Sequence, residues 1–154
     1  MVNEPEANPT TTALFEAISL LHRGEREAAR RAFSAIFSML PAADYFHRCV
    51  LGHFMADAQD DAESELHWDR LALAAAESAA PAEFDGRFPG MTHASFFPSL
   101  LLNVAAGCEK TGRLVEARTF ANRGLALPVD ETPLGRMTRS GLERLAARVR
   151  PESP

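Results

Sequence analysis

Apolar residues recur along this chain at helical spacing and are punctuated by glycine and proline. Residues 13–22, ALFEAISLLH, are almost wholly apolar and stop short of Gly24, a residue type that ends helices by taking a left-handed conformation. The next stretch, EREAARRAFSAIFSML, sets Ala29, Phe33, Ile36, Phe37 and Leu40 on one helical stripe and is closed by Pro41. So short a turn predicts two antiparallel helices. The same order returns in LLNVAAGCEKTGRLVEARTFANRGLALP, with a turn at Gly112 and a stop at Pro128. Between them, Asp44 is placed to cap a helix YFHRCVLGHFMA, a turn falls within 56–60, and Ala62 and Leu66 lead a second helix. This middle pair has neither a turn glycine nor a closing proline. Residues 134–149 form a last helix, with Leu134, Leu142, Leu145 and Val149 on one side and Arg136, Arg139, Arg144 and Arg148 over the other. Residues 81–98, PAEFDGRFPGMTHASFFP, carry no helical period and read as a loop; residues 1–9 read as a disordered tail.

The phrase G-x-x-x-x-A-x-x-x-F formed by Gly24, Ala29 and Phe33, running on to Pro41, resembles the second half of a tetratricopeptide repeat. Gly112, Ala117 and Ala121 repeat it, with Ala121 in the aromatic place. Ala29 and Ala62 are 33 residues apart, close to the family's period of about 34, whereas Ala62 and Ala117 are 55 apart, which calls for an insertion. The fold expected is therefore all-α: a tetratricopeptide-like superhelix of about three helix pairs over 10–150, with the loop 81–98 inserted and 134–149 as a capping helix.

By that resemblance the first helices line a concave groove that holds a peptide or a partner's helix, and the chain acts as a non-catalytic protein-binding module. Projected into the groove are Phe15, Ile18, His47, Arg48, Leu51, Met55, Asn103 and Lys110. Arg48, Asn103 and Lys110 resemble the clamp by which some members grip a terminal carboxylate. The core of so small a stack also has a use for Phe15, Ile18, Leu51 and Met55. Phe84, Phe88, Met91, Phe96 and Phe97 in the loop form either a plug over the groove or a docking patch.

Composition narrows the classes. With 46% apolar and 24% charged residues, one Tyr and one Trp, the chain favours helix over sheet. A net charge of -5 argues against nucleic acid as a partner. Cys49 and Cys108 sit in apolar helical patterns and read as small buried hydrophobes. The N-terminus MVNEPEANPTTT has no apolar segment and no later run approaches a membrane span, so the expectation is a cytoplasmic protein with no membrane partner.

Residues 52–70, GHFMADAQDDAESELHWDR, hold the richest chemistry. His53, Asp57, Asp61, Glu65 and Asp69 fall at steps of four, the spacing of one helical face, but the turn at 56–60 breaks that series. Asp57 or Asp60 is then expected to cap the following helix, with Asp60 and Glu63 as a capping-box pair. Asp69, three residues beyond Leu66, is expected to be buried and paired with Arg48, Arg70 or His53. The alternative function is a small-molecule or metal-binding protein, with or without hydrolytic activity, built on His53, Asp57, Asp61 and Glu65. No catalytic triad, phosphate loop or zinc motif is legible, so no catalytic residue and no cofactor is assigned.

Overall fold

A computed structural model describes residues 8–87 and 92–152, and all regular structure among them is helical. There are seven α-helices: α1 (Pro9–His22), α2 (Arg26–Met39), α3 (Tyr45–Asp57), α4 (Ala62–Ser78), α5 (His93–Lys110), α6 (Leu114–Leu125) and α7 (Pro133–Arg148), with one 3-10 turn, Pro81–Glu83, after α4. Helix α1 starts inside what the sequence suggests is a tail. Asn8 Oδ1 accepts from the amides of Thr10 (2.9 Å) and Thr11 (3.3 Å), and Pro9 occupies the first helical position, where its missing N–H costs nothing.

Two of the three within-pair turns share one geometry. Gly24 and Gly112 have φ of +81° and +78°, and each lets two backbone amides double back onto the preceding helix. Gly24 N–H reaches Leu21 O (3.0 Å) and Glu25 N–H reaches Leu20 O (3.0 Å); Gly112 N–H reaches Glu109 O (3.1 Å) and Arg113 N–H reaches Cys108 O (2.8 Å). This is a Schellman motif used twice, and it needs glycine because a Cβ at that φ is strained.

The α3–α4 turn has no glycine and satisfies its carbonyls from outside. Arg26 of α2 donates to the backbone oxygens of Asp57 (3.0 Å) and Gln59 (2.5 Å), and Arg30 donates to that of Ala58 (3.2 Å) and to the Asp60 carboxylate (2.5 Å). Two cations thus sit at the negative end of α3 and tie the first pair to the second. Replacing both Arg26 and Arg30 by alanine should lower the thermal midpoint, more at low ionic strength than at high. Arg31→Ala, whose partner Glu27 lies with it on the exposed side of α2, should leave it unchanged. Melting curves at two salt concentrations check both.

The pairs are stacked in register. Thr11 and His22 of α1 meet His47 and Phe54 of α3, so these two helices run in the same direction. On the other side, Glu63, Arg70 and Glu77 of α4 pair with Arg113, Glu116 and Arg123 on α6 or at its start, again in the same direction. The contacts just named between the first two pairs join residues 28 to 36 apart in sequence, and those between α4 and α6 join residues 46 to 50 apart. The added length lies between α4 and α5. Helix α7 packs on both α5 and α6: Leu142 fills the space above Gly124, Leu102 lies against Gly141, and Arg148 grips Glu109 (2.8 and 2.9 Å). Ala29, Phe33, Leu51, Val104, Ala117, Ala121 and Leu145 form part of one continuous core.

Three expectations are corrected. The segment 81–98 is not loop throughout: Thr92 and Ser95 form a capping box that starts α5 at His93, so Phe96, Phe97 and Pro98 are helical. Phe88 and Met91 lie outside the described residues. Pro81 does close α4, three residues past Ser78, as Pro41 and Pro128 follow α2 and α6. Ala62 is the first residue of α4 and only half-buried, whereas Ala29 and Ala117 are the fourth residues of their helices and fully buried; without a turn glycine the middle helix starts differently.

Candidate functional site

The residues projected from the sequence divide among three places. His47 and Arg48 belong to the start of α3, where both are bound within the protein. Asp44 caps α3 by accepting from the His47 amide (3.3 Å) and also accepts a hydrogen bond from His47 Nδ1 (2.8 Å), while Nε2 meets the Thr11 hydroxyl of α1 (3.0 Å). His47 is buried. Arg48 donates to Pro41 O (2.9 Å) and Leu40 O (3.3 Å) and lies over the Phe37 ring at 4.8 Å, so its charge closes the end of α2.

Met55, Phe96, Asn103 and Lys110 belong where α3, α4 and α5 meet, and Phe97 faces the connection between α6 and α7. Asn103 Nδ2 contacts His53 Nδ1 at 3.3 Å, and the Phe96 ring sits edge-on to His53 at 5.1 Å. Lys110 Nζ pairs with Glu65 at 3.0 Å. Met55 and Phe96 are buried; Phe97 is half-buried and stacked on His93 at 5.1 Å. Among Phe15, Ile18, Leu51 and Met55, only Phe15 is exposed. Phe84 is fully buried and edge-on to Phe46 at 5.4 Å, so it is a core residue.

Of the metal-ligand set, His53 and Asp57 share α3, but Asp61 and Glu65 belong to α4 and have other partners. Asp61 is the cap of α4, accepting from the Ser64 amide (2.8 Å) and hydroxyl (2.8 Å), which holds its carboxyl below the ordinary range. The cap is therefore one residue later than Asp60, whose carboxylate is held low by Arg30. Among the described residues no group of three or more His, Cys, Asp or Glu side chains is arranged to hold a metal ion. His53 is kept below the usual histidine range by burial, with the Asp57 charge pulling the other way.

Asp69 departs most from expectation. It is buried, at 3% exposure, but unpaired: Arg70 turns instead to Glu116 (2.6 Å), Arg48 to the end of α2, and His53 to Asn103. Asp69 Oδ1 is buried without a hydrogen-bond partner. Burial first, then the charges of Glu65 and Asp57, push this carboxyl up to about 7, with Lys110 opposing.

A feature that the sequence reading missed is a cleft of about 380 Å³ between the start of α5 and the α6–α7 connection, lined by Phe97, Pro98, Leu127, Val129, Asp130 and Glu131 among others. The signal for it was Pro98, read as the end of a loop when it is the sixth residue of a helix. A shallower hollow of about 220 Å³ lies beside Tyr45, Arg48, Leu71 and Ser78. Cys49 and Cys108 are free and buried, and burial raises both thiols above their usual range, which suits packing rather than reactivity. No helix among the described residues is long and apolar enough to cross a membrane. Comparison with protein-family models, curated proteins and solved structures finds no match to this chain.

Proposed function

We propose that this chain is a non-catalytic, cytoplasmic interaction module, a tetratricopeptide-like stack of three helix pairs and a capping helix that binds a protein or peptide segment. The observation that carries the reading is the stacked register: α1 alongside α3 and α4 alongside α6, each running in the same direction, with the same Schellman turn at Gly24 and Gly112. Such a stack makes one layer from α1, α3 and α5, and that layer is the binding face. Its partly exposed residues are Phe15, His53, Phe54 and Asn103, with Lys110 at one end. The role of clamp falls to Lys110 and Asn103: Arg48 is tied to two backbone carbonyls at the end of α2, whereas Lys110 is held by an exposed pair with Glu65 that a partner's carboxylate can exchange for its own. A partner carrying an apolar side chain beside a carboxylate suits this face, and neither nucleic acid nor membrane is part of the reading.

Selection from a displayed library of random peptides tests it. Selected peptides should lose about tenfold or more in affinity with Phe15→Ser or Lys110→Glu, a loss of about 1.4 kcal/mol each, while the melting temperature stays close to that of the unaltered protein, since both side chains are exposed. A library that yields no binder, or binders indifferent to both substitutions, removes the reading.

A further inference from the structure

We propose that the cleft between the start of α5 and the α6–α7 connection is a second binding site, which takes a bulky apolar side chain flanked by lysine or arginine from an extended segment of a partner protein. The inference goes beyond the binding face of α1, α3 and α5 and does not depend on it. At about 380 Å³ the cleft falls within the range of ligand pockets, about 300 to 1,000 Å³. Its floor is apolar, made of Phe97, Pro98, Leu127 and Val129, and Val129 is left half-exposed.

The polar groups of the cleft call for donors and positive charge. Pro98 has no N–H to return to the carbonyl of Ala94, and Ala94 lines the cleft, so a backbone acceptor there lacks its helical partner. Asp130 is fixed by the Thr132 amide (3.3 Å) and hydroxyl (2.7 Å) and keeps its charge in place. Glu131 is exposed, and its carboxylate makes no hydrogen bond or ion pair among the described residues. The neighbouring cations are engaged: Arg136 donates to the backbone oxygen of Glu131, and Arg139 to Leu125 O and Glu143. His93, also lining the cleft, is stacked on Phe97. Two carboxylates and a carbonyl that has lost its i+4 donor, over an apolar floor, match a guanidinium or ammonium group next to a large apolar side chain.

The experiment is a titration of the isotope-labelled full chain, followed by NMR, with two blocked peptides, acetyl-Gly-Arg-Phe-Arg-Gly-amide and acetyl-Gly-Glu-Phe-Glu-Gly-amide. The arginine peptide should shift the amides of residues 93–97 and 126–132 saturably, and bind about tenfold or more tightly than the glutamate peptide. Ala94→Trp, which fills the cleft from an exposed position, and Glu131→Lys, which reverses its free charge, should each weaken that binding about tenfold or more while the rest of the spectrum is kept. The proposal is overturned by shifts that do not saturate or that map elsewhere, by equal binding of the two peptides, or by binding that survives Ala94→Trp.

Discussion

Asp69→Asn should make the protein more stable, with a gain that is roughly 2 to 3 kcal/mol larger at about pH 8 than at about pH 5 and that vanishes only below the unfolded value of 3.8. Asp69 is buried, Oδ1 has no partner, and Glu65 and Asp57 add like charge, so its carboxyl is raised from 3.8 to about 7. A carboxyl whose folded-state pKa lies above its unfolded value binds its proton more tightly in the native state. The stability linked to that proton is fully present below 3.8 and is lost as pH rises through about 7. The full span is on the order of 4 kcal/mol, of which roughly 2 to 3 fall between about pH 5 and pH 8. Asparagine keeps the shape and carries no charge, so the loss at high pH disappears. In a chain of this length the change corresponds to a rise of about 5 to 10 °C in melting temperature at the higher pH. Thermal melts of both proteins across that window are the measurement. An Asp69→Asn protein less stable than the original at pH 8 would mean that a cation does reach Asp69.

That outcome reverses the expectation drawn from the sequence, where a buried aspartate implied a partner and its removal a loss. Burial was legible because Asp69 stands three residues past Leu66, on the stripe that the core needs. Pairing was not, because whether Arg48 or Arg70 turns inward depends on competing acceptors, the Leu40 and Pro41 carbonyls for one and Glu116 for the other. The helix pairs and the glycine turns were legible for the opposite reason. A positive φ at Gly24 or Gly112, and a small residue at Ala29 or Ala117, are local demands that the residue type itself announces. The start of α5 was hidden by Pro98, since proline usually marks the edge of a helix; here it sits three residues past Ser95, inside a helix whose first turn the Thr92–Ser95 box secures. Much of the candidate site was out of reach on similar grounds. The tie between His47 and Thr11, and the cleft beside Leu127 and Val129, join segments far apart in the chain, and no local pattern encodes them.

Gly52→Leu should cost about 3 kcal/mol, because it forces apart the most extensive helix–helix interface of the fold, that between α3 and α4. A Cβ at Gly52 would stand 3.1 Å from each of three atoms: the Ala72 Cβ, the Ala72 backbone nitrogen and the Trp68 carbonyl oxygen. Two of these are backbone, held by the hydrogen bonds of α4, so the neighbour cannot turn aside as a long side chain would. The remaining carbons of leucine have no space between the helices, and α4 must move as a body, disturbing Asp69 and the Trp68 contact with Phe37. Gly141→Ala is the matched control. The one close approach of its added Cβ is to the Cδ2 tip of Leu102, at 2.8 Å, which a small rotation relieves, and alanine favours helix over glycine by about 1 kcal/mol. It should therefore be neutral or slightly stabilising. Denaturant midpoints at constant slope measure both. If Gly52→Leu unfolds at the same midpoint as the original protein, α3 and α4 do not approach as closely as the packing of Gly52 on Ala72 requires.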